Sequence, residues 1–403
     1  MTETIPTTSS SPTFGYPEVT AREDFRRDIQ GLRAIAVILV ILNHAAIPGF
    51  VGGYIGVDVF FVISGFVITQ LLLREATKGI RTGLADFYSR RIRRIVPAAT
   101  ATLVGTLIAA ELVLGTRINP NLTGDVRWAS LFAANFRLIA TGSNYFVPGI
   151  HPSLVTQFWS LAVEEQFYLA FPLIVFVIAR FMPPRFRLRA LVATLGIAVI
   201  LSAWWSLHIS AGNPVLSYYS PFTRFWELGL GCLLAILTMR RPAPAGRIQE
   251  IAVVSGVVLL VIALLKLNST SVYPGWLASL PCGAAAMLIW AGSAERSSLI
   301  TRILSARPLV YLGALSYSLY LAHYVWLILP GQIVPPLTGW PWTLLEIGGT
   351  IISAALSYHL LENPIRRSRR LASDRIAIVL VLCVCVTASW TTAEIVAKLA
   401  RVG

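Results

Sequence analysis

Eleven stretches of about 20 mostly apolar residues recur along this chain, each long enough to cross a hydrocarbon core roughly 30 Å thick as a helix. They lie near residues 32–48, 54–73, 95–115, 157–179, 189–208, 217–238, 249–266, 274–292, 308–329, 342–361 and 376–396. Lipid offers no partner to backbone polar groups, so segments that cross it must bond internally, as helices do. The composition agrees, with 56% hydrophobic and 13% charged residues against roughly 45–50% and 25% in soluble domains. The expected fold is an all-α polytopic membrane helix bundle, with ten core helices and an eleventh transmembrane helix after them.

A net charge of +14 raises the question of nucleic acid, and the placement of the charges answers against it. With the N-terminus inside, 26 of the 33 Lys and Arg residues fall on the inner side, which is the positive-inside pattern of membrane proteins. The expected topology has a cytoplasmic N-terminus and an extracytoplasmic C-terminus. Only three of those 33 residues are lysine, pointing to a GC-rich bacterial genome and thus to a bacterial inner membrane. Residues 1–25 hold no apolar core and read as a disordered cytoplasmic tail. A transmembrane catalytic unit over 26–370 and an added helix with a short outer end over 371–403 complete the expected organisation.

Val126 to Ala140 is apolar but short and carries Arg127 and Arg137. A crossing there would move every later basic loop outside, so an outer-face or re-entrant helix is expected. The outer segment around it, Thr116 to Thr156, combines Trp128, Asn135, Asn144, Tyr145 and His151, a mixture suited to a sugar or to an ordinary lid loop. Cys232, Cys282, Cys383 and Cys385 all fall in expected spans and read as packing residues. No metal is expected.

The first span carries Arg33 and His44. Eleven helical residues turn about 20° past three full turns and rise about 16 Å, so the two share a stripe, with Arg33 at the cytosolic rim and His44 near mid-membrane. An imidazole there can act as a general base or be held by a neighbouring helix. Ionisable groups within the membrane default to a functional hypothesis. Asp58, at the head of the second span, could orient His44 or a ligand, or pair with an arginine.

At the inner end of that hairpin, Arg90, Arg91, Arg93 and Arg94 fall within five residues. Such a cluster anchors topology, and its forked guanidinium groups also suit phosphates. Glu164 and Glu165 begin the fourth span and point about 100° apart on a helix, so only one is expected to face a given cavity. Arg224 and Glu227 stand at pairing distance, three residues apart. His323 is intramembrane with no carboxylate nearby in sequence, His151, His208 and His359 lie near loops or ends, and Pro364 in Glu362-Asn363-Pro364 is expected to end the tenth span.

The run Asp28-Ile29-Gln30-Gly31-Leu32-Arg33-Ala34 through His44, followed by Gly52-Gly53-Tyr54-Ile55-Gly56-Val57-Asp58 and on to Phe66, resembles the signature of the acyltransferase type 3 family. These are membrane enzymes that O-acetylate surface glycans. The arginine-rich turn ending in Pro97, the Trp159 to Tyr168 block, Arg224 to Gly229, Tyr317 to His323 and Glu362 to Pro364 follow in the family's order, across residues 26 to 370.

The resemblance implies transfer of an acyl group, usually acetyl, from cytosolic acyl-CoA to a hydroxyl of a glycan or glycolipid. Arg33 and His44 would be essential, with Asp58 and Glu164 as further catalytic candidates. Arg90, Arg91, Arg93 and Arg94 would hold CoA phosphates, and Trp159, Glu165, Arg224 and His323 would meet substrate. Many relatives continue past the eleventh span into a soluble SGNH hydrolase-like domain, whereas this chain stops at Gly403, so a separate extracytoplasmic partner is expected if that domain completes the transfer. Direct transfer and an acyl relay both remain open. The rival reading is a transporter or flippase in which Asp58, Glu164 and the histidines form a path.

Overall fold

The computed structural model describes residues 26–75, 80–147, 152–333, 339–368, 371 and 375–402. The expected tail and His151 lie outside the described residues. Every expected stretch contains helix, and no strand occurs among the described residues. The long helices are α1 (Arg27–His44), α2 (Gly56–Glu75), α3 (Ile80–Leu114), then, after the short α4 (Leu122–Ser130) and α5 (Ala134–Ala140), α6 (Phe158–Phe181) and α7 (Pro184–Ile209). The short α8 (Pro214–Tyr219) leads into α9 (Pro221–Arg240), α10 (Arg247–Lys266) and α11 (Ser279–Ala291). Last come α12 (Leu299–Leu304), α13 (Arg307–Ile328), α14 (Trp340–Ser357), α15 (Asn363–Arg367) and α16 (Arg375–Val402).

Nine helical segments among the described residues are long and apolar enough to cross a membrane. The two expected spans outside that group are α1, whose 18 residues carry Arg27, Asp28 and Arg33, and α11, which has only 13 residues. The protein is a multi-pass membrane protein built as an all-helical bundle.

At the centre α1 lies against α13 and α2, and α2 lies along α9. Helices α7, α10, α14 and α16 form the rim, presenting residues such as Ile200, Ile251, Leu344 and Val379 outward. Lipid tails are as apolar as leucine, so burial of apolar surface does not drive such helices together and close backbone approach does. The α2–α9 contact depends on this. A Cβ on Gly65 would collide with the carbonyl of Leu228, and one on Gly231 with the carbonyl of Val62.

Val126 to Ala140 does not cross. It is broken into α4 and α5, of nine and seven residues, at Phe132, whose φ of +52° is left-handed. Arg137 closes the pair by bonding Asp125 at 3.1 Å and Asn121 at 3.2 Å. The last helix, α16, packs on α3 and α4, with Arg127 paired to Glu394 at 2.7 Å and the Trp390 indole donating to Ser130 at 3.1 Å.

One expected boundary is corrected. The tenth span does not stop before Pro364, because a single π-helical turn, Tyr358–Glu362, carries α14 into α15. Proline has no N–H to bond back into the preceding turn, and it sits here at the start of α15, where that N–H is dispensable.

Gly65→Leu should remove folded, monodisperse protein from detergent extracts, since backbone carbonyls cannot move aside. Gly196→Leu, on α7 where nothing stands within 4 Å of the added Cβ, should leave the size-exclusion profile unchanged.

Candidate active site

Two cavities approach each other from opposite ends of α1. At the arginine-rich end, a cavity of about 90 Å³ is lined by Arg33, Arg91, Arg94, Glu164, Glu165 and Tyr168, and closes inward on Ser160 and Tyr320. The adjacent glutamates both line it, contrary to the expectation from their angular separation. Arg91 explains this: it pairs with Glu165 at 2.7 Å, lies 3.9 Å from Glu164 and covers the Tyr168 ring at 3.4 Å. Glu164 Oε1 accepts from the hydroxyls of Ser64 at 2.7 Å and Tyr168 at 2.6 Å. Arg94 stands 3.6 Å from the buried Glu362, which accepts from Ser318 at 2.9 Å. Arg33 lines the same cavity within electrostatic reach of Glu164 and Glu362.

The four-arginine cluster therefore divides. Arg91 and Arg94 face the cavity, while Arg93 turns away to the carbonyls of Arg366 at 3.3 Å and Ser368 at 3.1 Å. Arg90 is partnered elsewhere and does not line the cavity. Four arginines in five helical residues cannot all share one face.

At the opposite end, a pocket of about 210 Å³ is lined by His44, Asn43, Tyr54, Tyr145, Phe146 and Tyr324, among others. His44 Nδ1 lies 2.9 Å from the Val40 carbonyl. A carbonyl only accepts, so Nδ1 carries the proton and Nε2 presents its lone pair. Tyr145 donates its hydroxyl to that Nε2 at 3.0 Å. Burial holds the Tyr145 phenol well above its ordinary pKa, which keeps it a donor. His323 repeats the arrangement, with Nδ1 bonded to the Tyr320 carbonyl at 2.7 Å and a buried Nε2 without a partner, and its ring centre is 5.0 Å from that of His44.

A thin polar septum separates the cavities. Ser160 and Tyr320 share a 2.6 Å hydrogen bond, and Tyr320 donates to the Gln157 carbonyl at 3.1 Å. Ser160 and Tyr320 face the arginine-lined cavity, and the Tyr320 ring lies 5.2 Å from that of His323.

Asp58 and Arg224 stand beside this axis, lining neither cavity. Arg224 Nη1 donates to Asp58 at 2.8 Å and to Glu227 at 2.6 Å, and its Nε donates to the Tyr218 carbonyl at 3.2 Å. Of the alternatives for Asp58, pairing with an arginine is the one realised, and the partner is 166 residues away. The Arg224 guanidinium also lies against Trp159, Tyr218 and Tyr273 at 5.1 to 5.4 Å, which places Trp159 in the same cluster. Tyr218 in turn stacks on Tyr145 at 4.6 Å, so the cluster supports the phenol that meets His44. Ligating atoms of Asp58, Glu227 and Cys282 lie within 4.8 Å of one another, but Arg224 already bridges the carboxylates.

Tyr145 was visible in the sequence only as one polar aromatic of an outer segment. Tyr320 and Ser160 lay within motifs, unmarked. Their roles come from contacts across more than 100 residues, which no local spacing reports.

Fold and site together define a membrane-embedded helical bundle with an arginine-lined cavity and a histidine-lined pocket at opposite ends of one helix. A family model described as an acyltransferase domain matches residues 26–362, and the chain belongs to that family. Among curated relatives, the peptidoglycan O-acetyltransferase OatA of Listeria monocytogenes is 31% identical over 84% of this chain and 56% of its own. The O-acetyltransferase OatA of Staphylococcus aureus is 32% identical over 84% of this chain and 57% of its own. The chain thus spans little more than half the length of these relatives. No solved structure matches it.

Arg224→Met would strand two buried carboxylates side by side. Breaking a buried ion pair in this way costs about 3–5 kcal/mol, so a large fall in thermal midpoint is expected in detergent. A midpoint within a degree of the parent would refute the structural role of the cluster.

Proposed function

We propose that the protein moves an acyl group, most simply acetyl, from cytosolic acyl-CoA to a hydroxyl of an envelope glycan. The observation carrying this reading is that α1 alone brings Arg33 into one cavity and the accepting Nε2 of His44 into the other, across a septum of Ser160 and Tyr320. The arginine-lined end is the cytosolic one, by the distribution of basic residues. Arg33 and Arg94 bind CoA phosphates there, with Arg91 held by its glutamates as part of the wall. The pantetheine arm then parts the Ser160–Tyr320 hydrogen bond, bringing the thioester to the septum.

On the opposite side the acceptor hydroxyl takes the place of the Tyr145 phenol at His44 Nε2. As that oxygen attacks the thioester carbonyl, His44 removes its proton and the C–S bond breaks. The thiolate leaves on the CoA side and takes a proton from water there, and the His44 imidazolium returns its own proton to water on the opposite side, which closes the proton balance. His323 holds the His44 ring from behind and excludes water from the septum. The relatives' names make peptidoglycan the first acceptor to test, in a bacterial cell membrane. A separate SGNH-like extracytoplasmic partner would take the acyl group onward where the final acceptor cannot reach His44.

Purified protein in liposomes, given acetyl-CoA labelled in the acetyl group and a glycan acceptor, should form an O-acetyl ester. His44→Ala should lower the rate about 10²–10⁴-fold, the usual contribution of a general base, with unchanged expression. Arg33→Gln and Arg94→Gln should raise the KM for acetyl-CoA by about tenfold, the equivalent of one charge-assisted contact near 1.4 kcal/mol. Movement of substrate across the bilayer with no acylated product would favour a transporter.

A further inference from the structure

Helix α2 gives the arginine-lined cavity an apolar wall. It starts beside the His44 end of α1, where Gly56 lies against Ala36 and Val40, and runs toward the arginine-rich end. Val57, Phe60, Phe61, Ser64 and Val67 line the cavity at the three- and four-residue spacing of one helical face, along about 15 Å of helix. The wall changes character at Ser64. Its hydroxyl donates to Glu164 Oε1, the same oxygen that lies 3.9 Å from Arg91, so this level of the cavity is charged. One turn back, toward the His44 end, α2 offers only Phe60, Phe61 and Val57.

These three side chains differ in what they leave open. Phe61 and Val57 are 1% and 3% exposed, and Phe61 stands edge-on to Trp159, which the Arg224 cluster holds. Phe60 is half-buried. Its ring meets the Tyr320 ring edge-on at 6.3 Å, and Tyr320 is half of the septum. Phe60 therefore presents open apolar surface where the polar lining ends and the septum begins. A thioester held at that septum has its phosphates behind it among the arginines. Its alkyl carbons gain nothing from guanidinium or carboxylate groups, and they meet an apolar surface at Phe60. The ring then bounds the space for those carbons, and forcing further methylenes against a packed side chain is unfavourable.

We propose that Phe60 sets the acyl-chain length of the donor, its ring touching the methyl group of an acetyl thioester and excluding longer chains. The proposal rests on the transferase reading above and adds the residue that determines donor specificity.

The full chain in liposomes is given acetyl-, propionyl- or butyryl-CoA with the glycan acceptor, and kcat/KM is measured for each. Binding of two thioethers that cannot transfer, S-ethyl-CoA and S-butyl-CoA, is measured separately in detergent. The parent should prefer acetyl to butyryl by at least about tenfold, the lower end of what one methylene changes in a fitted apolar pocket, and should bind S-ethyl-CoA more tightly than S-butyl-CoA. Phe60→Ala should bring butyryl to within threefold of acetyl and equalise the two thioethers. Phe60→Leu, the milder change, should give intermediate ratios, and Ile200→Ala, on the outward face of α7, should keep the parent's. A parent that uses all three donors equally would overturn the proposal. So would parental acyl and thioether preferences in either Phe60 variant that remains monodisperse. If the parent forms no ester from any donor, the transferase reading fails, and the thioethers alone decide the role of Phe60: a preference lost in Phe60→Ala upholds it, and one that persists, or is missing from the parent, overturns it.

Discussion

The shared hydrogen bonding of Arg224 to Asp58 and Glu227 holds the rest of the site in place. The three side chains are at most 1% exposed, in surroundings where an unpaired charge is among the most unfavourable groups a protein can bury. They therefore specify one register of α2 against α9, the register in which Gly65 and Gly231 admit the facing backbones. From the same guanidinium the contacts pass through Tyr218 to Tyr145 and so to His44. The cluster's contribution is this uniqueness of arrangement, since a well-packed apolar substitute can match a buried ion pair in stability.

How much of this was legible in the sequence depended on how local the information was. The Arg33 and His44 stripe follows from helical periodicity on one segment, and so does the Arg224 and Glu227 pair. The family resemblance added the order of motifs along the chain. The partner of Asp58 was illegible because it lies on another helix, and Tyr145 was illegible because it reaches His44 from an irregular segment with no period to read. The two glutamates of α6 show a different limit. Their angular separation was correctly derived, but Arg91, arriving from α3, draws both to one cavity, and a helical wheel has no knowledge of a second helix. In the arginine cluster the same geometry worked the other way, sending Arg93 to backbone carbonyls at the end of α15.

The two polar cavities are unequal in chemistry as well as in place. One is walled by charges of both signs, Arg33 among them, and the other by phenols, an amide and an imidazole. In the proposed transfer, a highly charged, phosphorylated donor and a neutral hydroxyl acceptor would thereby be sorted before they meet, each by the end it can enter. Separation of this kind would also limit hydrolysis in the proposed transfer, because water reaching His44 would find no thioester there until the septum of Ser160 and Tyr320 is occupied.

The π-helical turn at Tyr358–Glu362 amounts to one residue more than a regular helix would need over that distance. Loss of any single residue within it would restore α-helical phase and rotate everything beyond by about 100°. Glu362 would then swing away from Ser318 and Arg94, although the apolar character of the span would be unchanged. Length variation among related chains at this turn is thus a question of phase, and chains that keep the acid should also keep the extra residue.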